Sequence, residues 1–529
     1  MKRLWNGTVG ASLAAMLLLT GCANPLLQDP LPESSAELTA SFPRYDIDGL
    51  KTRIEALKSI WKESDRKEDI EQAIKEMLLA DDEAYAISVR AEIAYNAEWS
   101  DPELYDAYTE TRDDSSVVDE MVTWCFVNGA RYSAYPECFE KYIDDSWADY
   151  YAITNLNRVM SSARMNSGDS GARLDEYYDT AYDSDLDVDE MNKSCAKLYL
   201  ELLKEQDLSD YLYSNYDRDY TAEEASEAAA AVLAEIVPVA EALYARMKTD
   251  PEYDQVTGDN RAELDAYALL KEYAPQISPR VAQSVDKLFS KELYTVATGD
   301  DCYDGSFTVA LPSEQSALMY TYLCNDFYDL ITVTHEFGHF HSDWRDQTHV
   351  YLQANNIDLA EAQSQGMEML FTAYYDEIFG EHAKLYEKVA LYNILNSVIA
   401  GLAIGEFEYR VMQNIDSFTP DDVIECYYDL DEQYGIDVDF YEVTHLFEQP
   451  GYYVSYGVSA LPALELYTIM QEDYDRAVKI YDILSSISSS SGEYHFIEAI
   501  EACGLRDPFD PETVADLAHN INRRLDELD

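Results

Sequence analysis

From about residue 46 onward this chain carries helical periodicity almost throughout, and one stretch between 307 and 323 breaks it. That contrast limits the possible folds more than any other feature. Thr221 and Glu224 make a capping box, and Leu233, Ile236, Val237, Ala240 and Leu243 then recur at the spacing of one helix face. Pro238 sits inside that run and predicts a kink, because it has no N–H and its ring crowds the carbonyl four residues back. A second long pattern runs from about 384 to 414 through Leu391, Ile394, Leu395 and Val398. Phe307, Val309 and Leu311 instead alternate with Thr308 and Ala310, the period of a strand, which Pro312 ends. Residues 317–323 are a second β-prone run, and Asn325-Asp326 supplies turn chemistry after it. There is no internal repeat. The expectation is a mainly α protein with one small β element.

The chain has 529 residues, 47% hydrophobic and including 44 Tyr, enough for a large core and more than one lobe, and too aromatic for a disordered protein. Its 103 acidic residues against 37 basic ones give a formal charge of −66, which excludes nucleic acid as a partner because phosphates would be repelled. Lys2 and Arg3 precede an apolar run ending in Leu17-Leu18-Leu19, and Leu19-Thr20-Gly21-Cys22 follows. This reads as a secretory signal with small residues before a cysteine, similar to the bacterial lipobox. Cleavage before Cys22 would leave a lipid-carrying N-terminus, so the expected location is extracytoplasmic, with membrane contact through lipid on Cys22. No other stretch reads as long and apolar enough to span a bilayer. Pro25, Pro30, Pro32 and Pro43 mark a tether. The expected organisation is a signal peptide over 1–21, a tether over 22–45, an N-terminal helical lobe over 46–210 and a catalytic region over 211–529. Seven cysteines remain beyond Cys22; Cys125 and Cys138 are candidates for a bridge, and no CxxC cluster points to a cysteine metal site.

The chemistry concentrates in Thr334-His335-Glu336-Phe337-Gly338-His339. Residues four apart on a helix differ by about 40° in direction, so His335 and His339 can face one zinc ion. Glu336, beside the first ligand, can serve as general base. A catalytic zinc needs a third protein ligand and an open position. Ser342 and Arg345 occupy the places where a metzincin would have Gly and His. His341 lies about 240° around the helix from His335 and faces away, and His349 could reach only if the helix broke. Glu361 remains, with Ser364 one turn on and Glu368 seven residues on, nearly eclipsed with Glu361 on one face. An acidic alternation at Asp183, Asp185, Asp187 and Asp189 lacks the Gly and the closing Glu of a calcium loop and reads as a solvated loop.

The run His335-Glu336-Phe337-Gly338-His339 followed by Glu361-Ala362-x-Ser364-Gln365-x-x-Glu368 resembles the thimet oligopeptidase and oligoendopeptidase F family of zinc peptidases. The resemblance covers about residues 299–375 and 441–465. It departs from the family pattern at Ser342, where a further histidine is usual. It implies a two-lobed helical metallopeptidase with a deep central cleft, zinc on His335, His339 and Glu361, and short peptides as substrates. The segment from His445 through Tyr452-Tyr453-Val454-Ser455-Tyr456-Gly457 resembles the family's histidine and tyrosine-rich turn. It implies that His445 and Tyr456 donate to the oxyanion, with Tyr452 and Tyr453 competing for a further slot and Tyr453 preferred. The strand at 317–323 is expected to pair its edge with the substrate backbone. A monomer is expected. The rival expectation is a non-catalytic surface lipoprotein that binds peptides, against which the joint presence of base and ligands counts.

Overall fold

A computed structural model of the chain describes residues 42–143, 151–152, 154–160, 171–181, 186–205, 216–257 and 264–529. The signal peptide, most of the tether, Cys22, Asp183 and Asp185 lie outside the described residues.

Helices α1 (Ile47–Glu63), α2 (Lys67–Ala97) and α3 (Pro102–Tyr132) pack on one another, joined by short loops. They close a core of their own around Leu50, Ile54, Trp61, Ile74, Met121 and Phe126. Most of the buried hydrophobic residues from 177 onward share a second and larger core. The far end of α2 enters that second core through Ala86, Val89 and Ile93, so this one helix belongs to both.

The capping box at Thr221 forms as its sequence predicts: the Glu224 N–H donates to Thr221 Oγ1 at 3.2 Å, and the Thr221 N–H to Glu224 Oε2 at 2.8 Å. The helix it opens, α4 (Ala222–Glu235), gives way to α5 (Val237–Met247) with a bend of 41° at the position that Pro238 predicts.

The β element has three strands, β1 (Tyr294–Ala297), β2 (Phe307–Leu311) and β3 (Ser316–Tyr322), in the order β1-β3-β2. β2 pairs antiparallel with β3, placing Val309 opposite Leu318, and β1 pairs parallel with β3, placing Tyr294 opposite Met319. The middle position of β3 corrects the expectation that its edge receives substrate, because both of its edges are already paired. β2 is the edge strand beside the helix that carries His335 and His339. β3 is buried along nearly its whole length, which is why it reads as a continuous apolar run, whereas β2 alternates. β1 carries no sequence signal because four residues are too few to show a period.

Asn325 adopts φ +63°, and Asp326 then caps α6 (Phe327–Asp343), its Oδ1 accepting from the Tyr328 N–H at 2.8 Å. α6 lies against α7 (Ile357–Phe371). Gly338 makes the close approach possible: a Cβ there would stand 2.5 Å from the Ser364 Cα. Farther on, α8 (Ala383–Gln413) and α9 (Tyr453–Glu472) meet backbone to backbone, since a Cβ on Gly401 would stand 2.3 Å from the Gly457 nitrogen.

The segment Ile357–Gln413 corrects the expectation that nothing beyond the N-terminus is apolar enough to span a membrane: it holds a window of mean hydropathy 1.4. That window is 78% buried by the protein's own packing, which accounts for its composition. Cys125 and Cys138 are both free thiols, so the candidate bridge is not formed. Asp187 caps the following helix by accepting from the Glu190 N–H at 2.9 Å.

Candidate metal centre

The four-residue spacing on α6 brings His335 Nε2 and His339 Nε2 to 3.2 Å from each other. Glu361 reaches them from α7, with Oε2 3.3 Å from His335 Nε2 and Oε1 3.9 Å from His339 Nε2. The three donor atoms all lie within 4.8 Å of one another, and no other such group occurs among the described residues. Two turns along α7, Glu368 Oε1 accepts from His335 Nδ1 at 2.6 Å. That bond holds the proton on Nδ1 and leaves Nε2 turned to the cluster, the arrangement that outer carboxylates impose on metal-binding histidines. Ser364 Oγ donates to the Glu361 carbonyl at 2.9 Å, and the Tyr452 hydroxyl donates to Glu361 Oε1 at 3.0 Å.

Glu336 projects beside the ligands. Thr308 Oγ1, on β2, lies 2.8 Å from Glu336 Oε2 and 3.0 Å from the Glu336 carbonyl. The edge strand is thereby fastened to the helix that carries the histidines. His335, Glu336 and Glu361 are each 1–2% exposed. His339 keeps 14% of its side chain in contact with solvent, so the cluster opens on the His339 side.

Among the protein groups alone, the electrostatics call for positive charge. Burial opposes protonation of His335, but its bonds to Glu361 and Glu368 lift it well above the ordinary histidine value. Burial pushes His339 down to about 4, which leaves a neutral imidazole ready to ligate. Burial favours the neutral form of Glu361 too, yet the bond from His335, its interactions with the two imidazoles and the bond from Tyr452 hold it below the ordinary carboxylate range. Glu336 is pushed by burial up to about 7. Two imidazole nitrogens, one carboxylate oxygen and one open side fit a divalent metal ion, whose charge would offset the buried carboxylates.

A second cluster packs behind Tyr452. His445 Nδ1 lies 2.7 Å from Glu448 Oε2, and Tyr178 bonds the same carboxylate through its hydroxyl. The His445 ring has its centroid 4.9 Å from that of Tyr452, 5.5 Å from Tyr453 and 6.4 Å from Tyr456. Tyr452 and Tyr456 meet edge to face at 5.0 Å.

No family model and no curated protein matches the sequence. Solved structures do. A protein described as oligoendopeptidase F, at 17% identity, has a TM-score of 0.70 over 92% of this chain and 98% of its own. One from Bacillus anthracis str. Ames, described likewise, has a TM-score of 0.69 at 16% identity, over 94% and 99%. The chain has the oligoendopeptidase F fold. The M32 carboxypeptidase of Deinococcus radiodurans R1 is a more distant likeness, with a TM-score of 0.57 at 13% identity over 86% of this chain and 99% of that one.

Within this oligoendopeptidase F fold, the tyrosine that touches the ligand set is Tyr452. Tyr453 is engaged with the Thr444 side chain and the His445 backbone, and Tyr456 packs edge to face on Tyr452. His341 faces away, as its place on the helix requires, with Nδ1 2.7 Å from Ser284 Oγ. His349 is no ligand either; its Nδ1 lies 2.6 Å from Asp82 Oδ2 on α2, so it joins the loop after α6 to the N-terminal helices. Thr308 and Asp82 give no sequence signal because their partners lie 28 and 267 residues away, whereas Glu448 stands one turn after His445, a spacing that the sequence does offer.

Proposed function

We propose that this protein is a zinc-dependent endopeptidase of short peptides, working outside the cytoplasm on a lipid anchor at Cys22. The observation that carries the reading is the convergence of His335, His339 and Glu361 on one point with Glu336 beside them, inside a fold shared with oligoendopeptidases. His335 Nε2, His339 Nε2 and one oxygen of Glu361 would hold the metal. Zinc bound there would polarise the scissile carbonyl and make a water molecule more acidic. Glu336 takes the proton of the attacking water on its carboxylate and passes it to the leaving amine. Burial raises the Glu336 carboxyl above the ordinary carboxylate range, the direction that strengthens it as a base. Thr308 fixes the carboxylate for that transfer. The open edge of β2, fastened beside Glu336, is where an extended substrate backbone would add a strand.

Burial of the cluster supports short substrates. A folded protein would have to open locally to reach it, at a cost drawn from a stability of roughly 5–15 kcal/mol. The test uses the zinc-loaded protein, a short quenched peptide blocked at both ends, and a folded protein carrying the same sequence in its interior. Internal cleavage of the peptide alone is expected. Cleavage only of unblocked peptides would make the protein an exopeptidase, and equal cleavage of the folded protein would end the short-peptide reading. The anchor is tested separately: Cys22→Ala should move the protein from the membrane to the soluble fraction, and an unchanged distribution would place the anchor elsewhere.

A further inference from the structure

Next to the helix that carries Glu361 lies a buried arginine for which the reaction has no direct use. The Arg218 side chain is 0% exposed, and that of its partner Asp358 is 1% exposed. Arg218 Nε donates to Asp358 Oδ2 at 3.3 Å, while Nη2 donates to the Gly451 carbonyl at 2.7 Å and to Ser455 Oγ at 2.9 Å. The Tyr220 hydroxyl donates to the same Asp358 oxygen at 2.8 Å. Tyr216 underlies the guanidinium at 4.4 Å and donates to the Pro450 carbonyl at 2.8 Å.

The two ends of this bridge both matter to the ligand cluster. Asp358 belongs to the first turn of α7, three residues before Glu361. Gly451, at φ +85°, immediately precedes Tyr452, and its N–H donates to Glu408 Oε1 at 2.7 Å. One guanidinium therefore joins the helix that presents Glu361 to the turn that presents Tyr452, and those two side chains meet at 3.0 Å. A planar fork with donors in fixed directions can do this, whereas a lysine ammonium is a single point charge on a flexible stem. Burial of an ion pair is weak evidence for a contribution to stability, because desolvation offsets the attraction. The geometry supplies a different reason for keeping it.

We propose that Arg218 is a positioning residue: by holding Asp358, Gly451 and Ser455 together it sets the Tyr452 hydroxyl on Glu361, and so fixes the direction in which Glu361 offers its other carboxylate oxygen to a metal. This rests on the reading of His335, His339 and Glu361 as a zinc site.

The experiment compares the wild type with Arg218→Lys, Asp358→Asn, Tyr452→Phe and the Arg218→Lys/Tyr452→Phe double variant. Three quantities are read: zinc affinity by competition with a chromophoric chelator, the absorption spectrum of the cobalt(II)-substituted protein, and kcat and KM on a blocked short peptide. Arg218→Lys and Asp358→Asn are each expected to weaken zinc binding by roughly 10–100-fold, to shift the cobalt spectrum and to lower kcat more than they change KM. In the Tyr452→Phe background, Arg218→Lys should add less than about threefold, since both act through one contact. A folded Arg218→Lys protein within about twofold of wild type in zinc affinity and kcat, with an unchanged cobalt spectrum, overturns the proposal; so does a double variant whose loss is the product of the single losses. If Arg218→Lys does not fold, Asp358→Asn decides by the same readouts, and failure of both to fold assigns the pair to folding alone and overturns the proposal. A wild type that binds zinc and cuts the peptide while the variants match it leaves the zinc reading standing; a wild type that does neither removes both.

Discussion

Replacing Glu336 by Gln is expected to lower kcat for peptide hydrolysis by roughly 10²–10⁴-fold while leaving the metal content at one per chain. The substitution keeps the shape of the side chain, and the amide oxygen can still accept from Thr308, which lies 2.8 Å from Glu336 Oε2. It removes only the ability to take up a proton. Glu336 is not among the three residues whose donors converge, so the site should load as before. Its burial makes the change nearly neutral for the fold, because a carboxylate that burial holds up to about 7 sheds its desolvation penalty when it becomes an amide. Metal analysis, thermal melting and steady-state kinetics on one preparation decide the matter. Turnover near that of the wild type in a metal-loaded Glu336→Gln protein would remove Glu336 from the chemistry.

Glu361→Gln should have the opposite profile, with metal content falling from one to near zero at micromolar protein and activity falling with it. A neutral amide retains the Tyr452 contact but contributes no charge to a site in which Glu361 is the carboxylate within 3.3 Å of His335 Nε2. His335→Ala should lose the metal as well, and should also destabilise the fold. It leaves Glu361 and Glu368 buried without the imidazole that bonds both, and breaking such a buried pair costs about 3–5 kcal/mol. His349→Ala serves as the contrast: its ring is held by Asp82 on α2, so metal content should be unchanged. Metal lost from His349→Ala and retained in Glu361→Gln would show that the wrong third ligand has been named.

Much of this site is legible in the order of residues alone. His335 and His339 face together because a helix repeats every 3.6 residues, and Glu361 with Glu368 follows the same rule over two turns. The Thr221 capping box, the bend at Pro238 and the alternating strand at 307–311 are equally readable, since each follows from a rule about neighbours in the chain. Local rules fail where a short element takes its identity from its partner. β1 is a strand because β3 lies beside it, and β3 is central because β1 and β2 occupy both its edges. They fail again at the apolar stretch in 357–413, because composition alone does not distinguish a helix sheathed by protein from one sheathed by lipid.

The sequence by itself therefore determined the helical class, the two histidines with a base between them, and the face of α7 that bears two carboxylates, all of which are consequences of local periodicity. The sequence also placed Glu368 behind the histidines, but only the tertiary structure decided that it takes His335 Nδ1, that Tyr452 rather than Tyr453 or Tyr456 meets Glu361, and that Arg218 spans the two elements behind them. Those contacts join residues 33, 91 and up to 237 positions apart, and no backbone rule relates such positions. They are set by how closely helices approach, as at Gly338, where the absence of a side chain lets α6 and α7 lie near enough for two histidines and a glutamate to share one point.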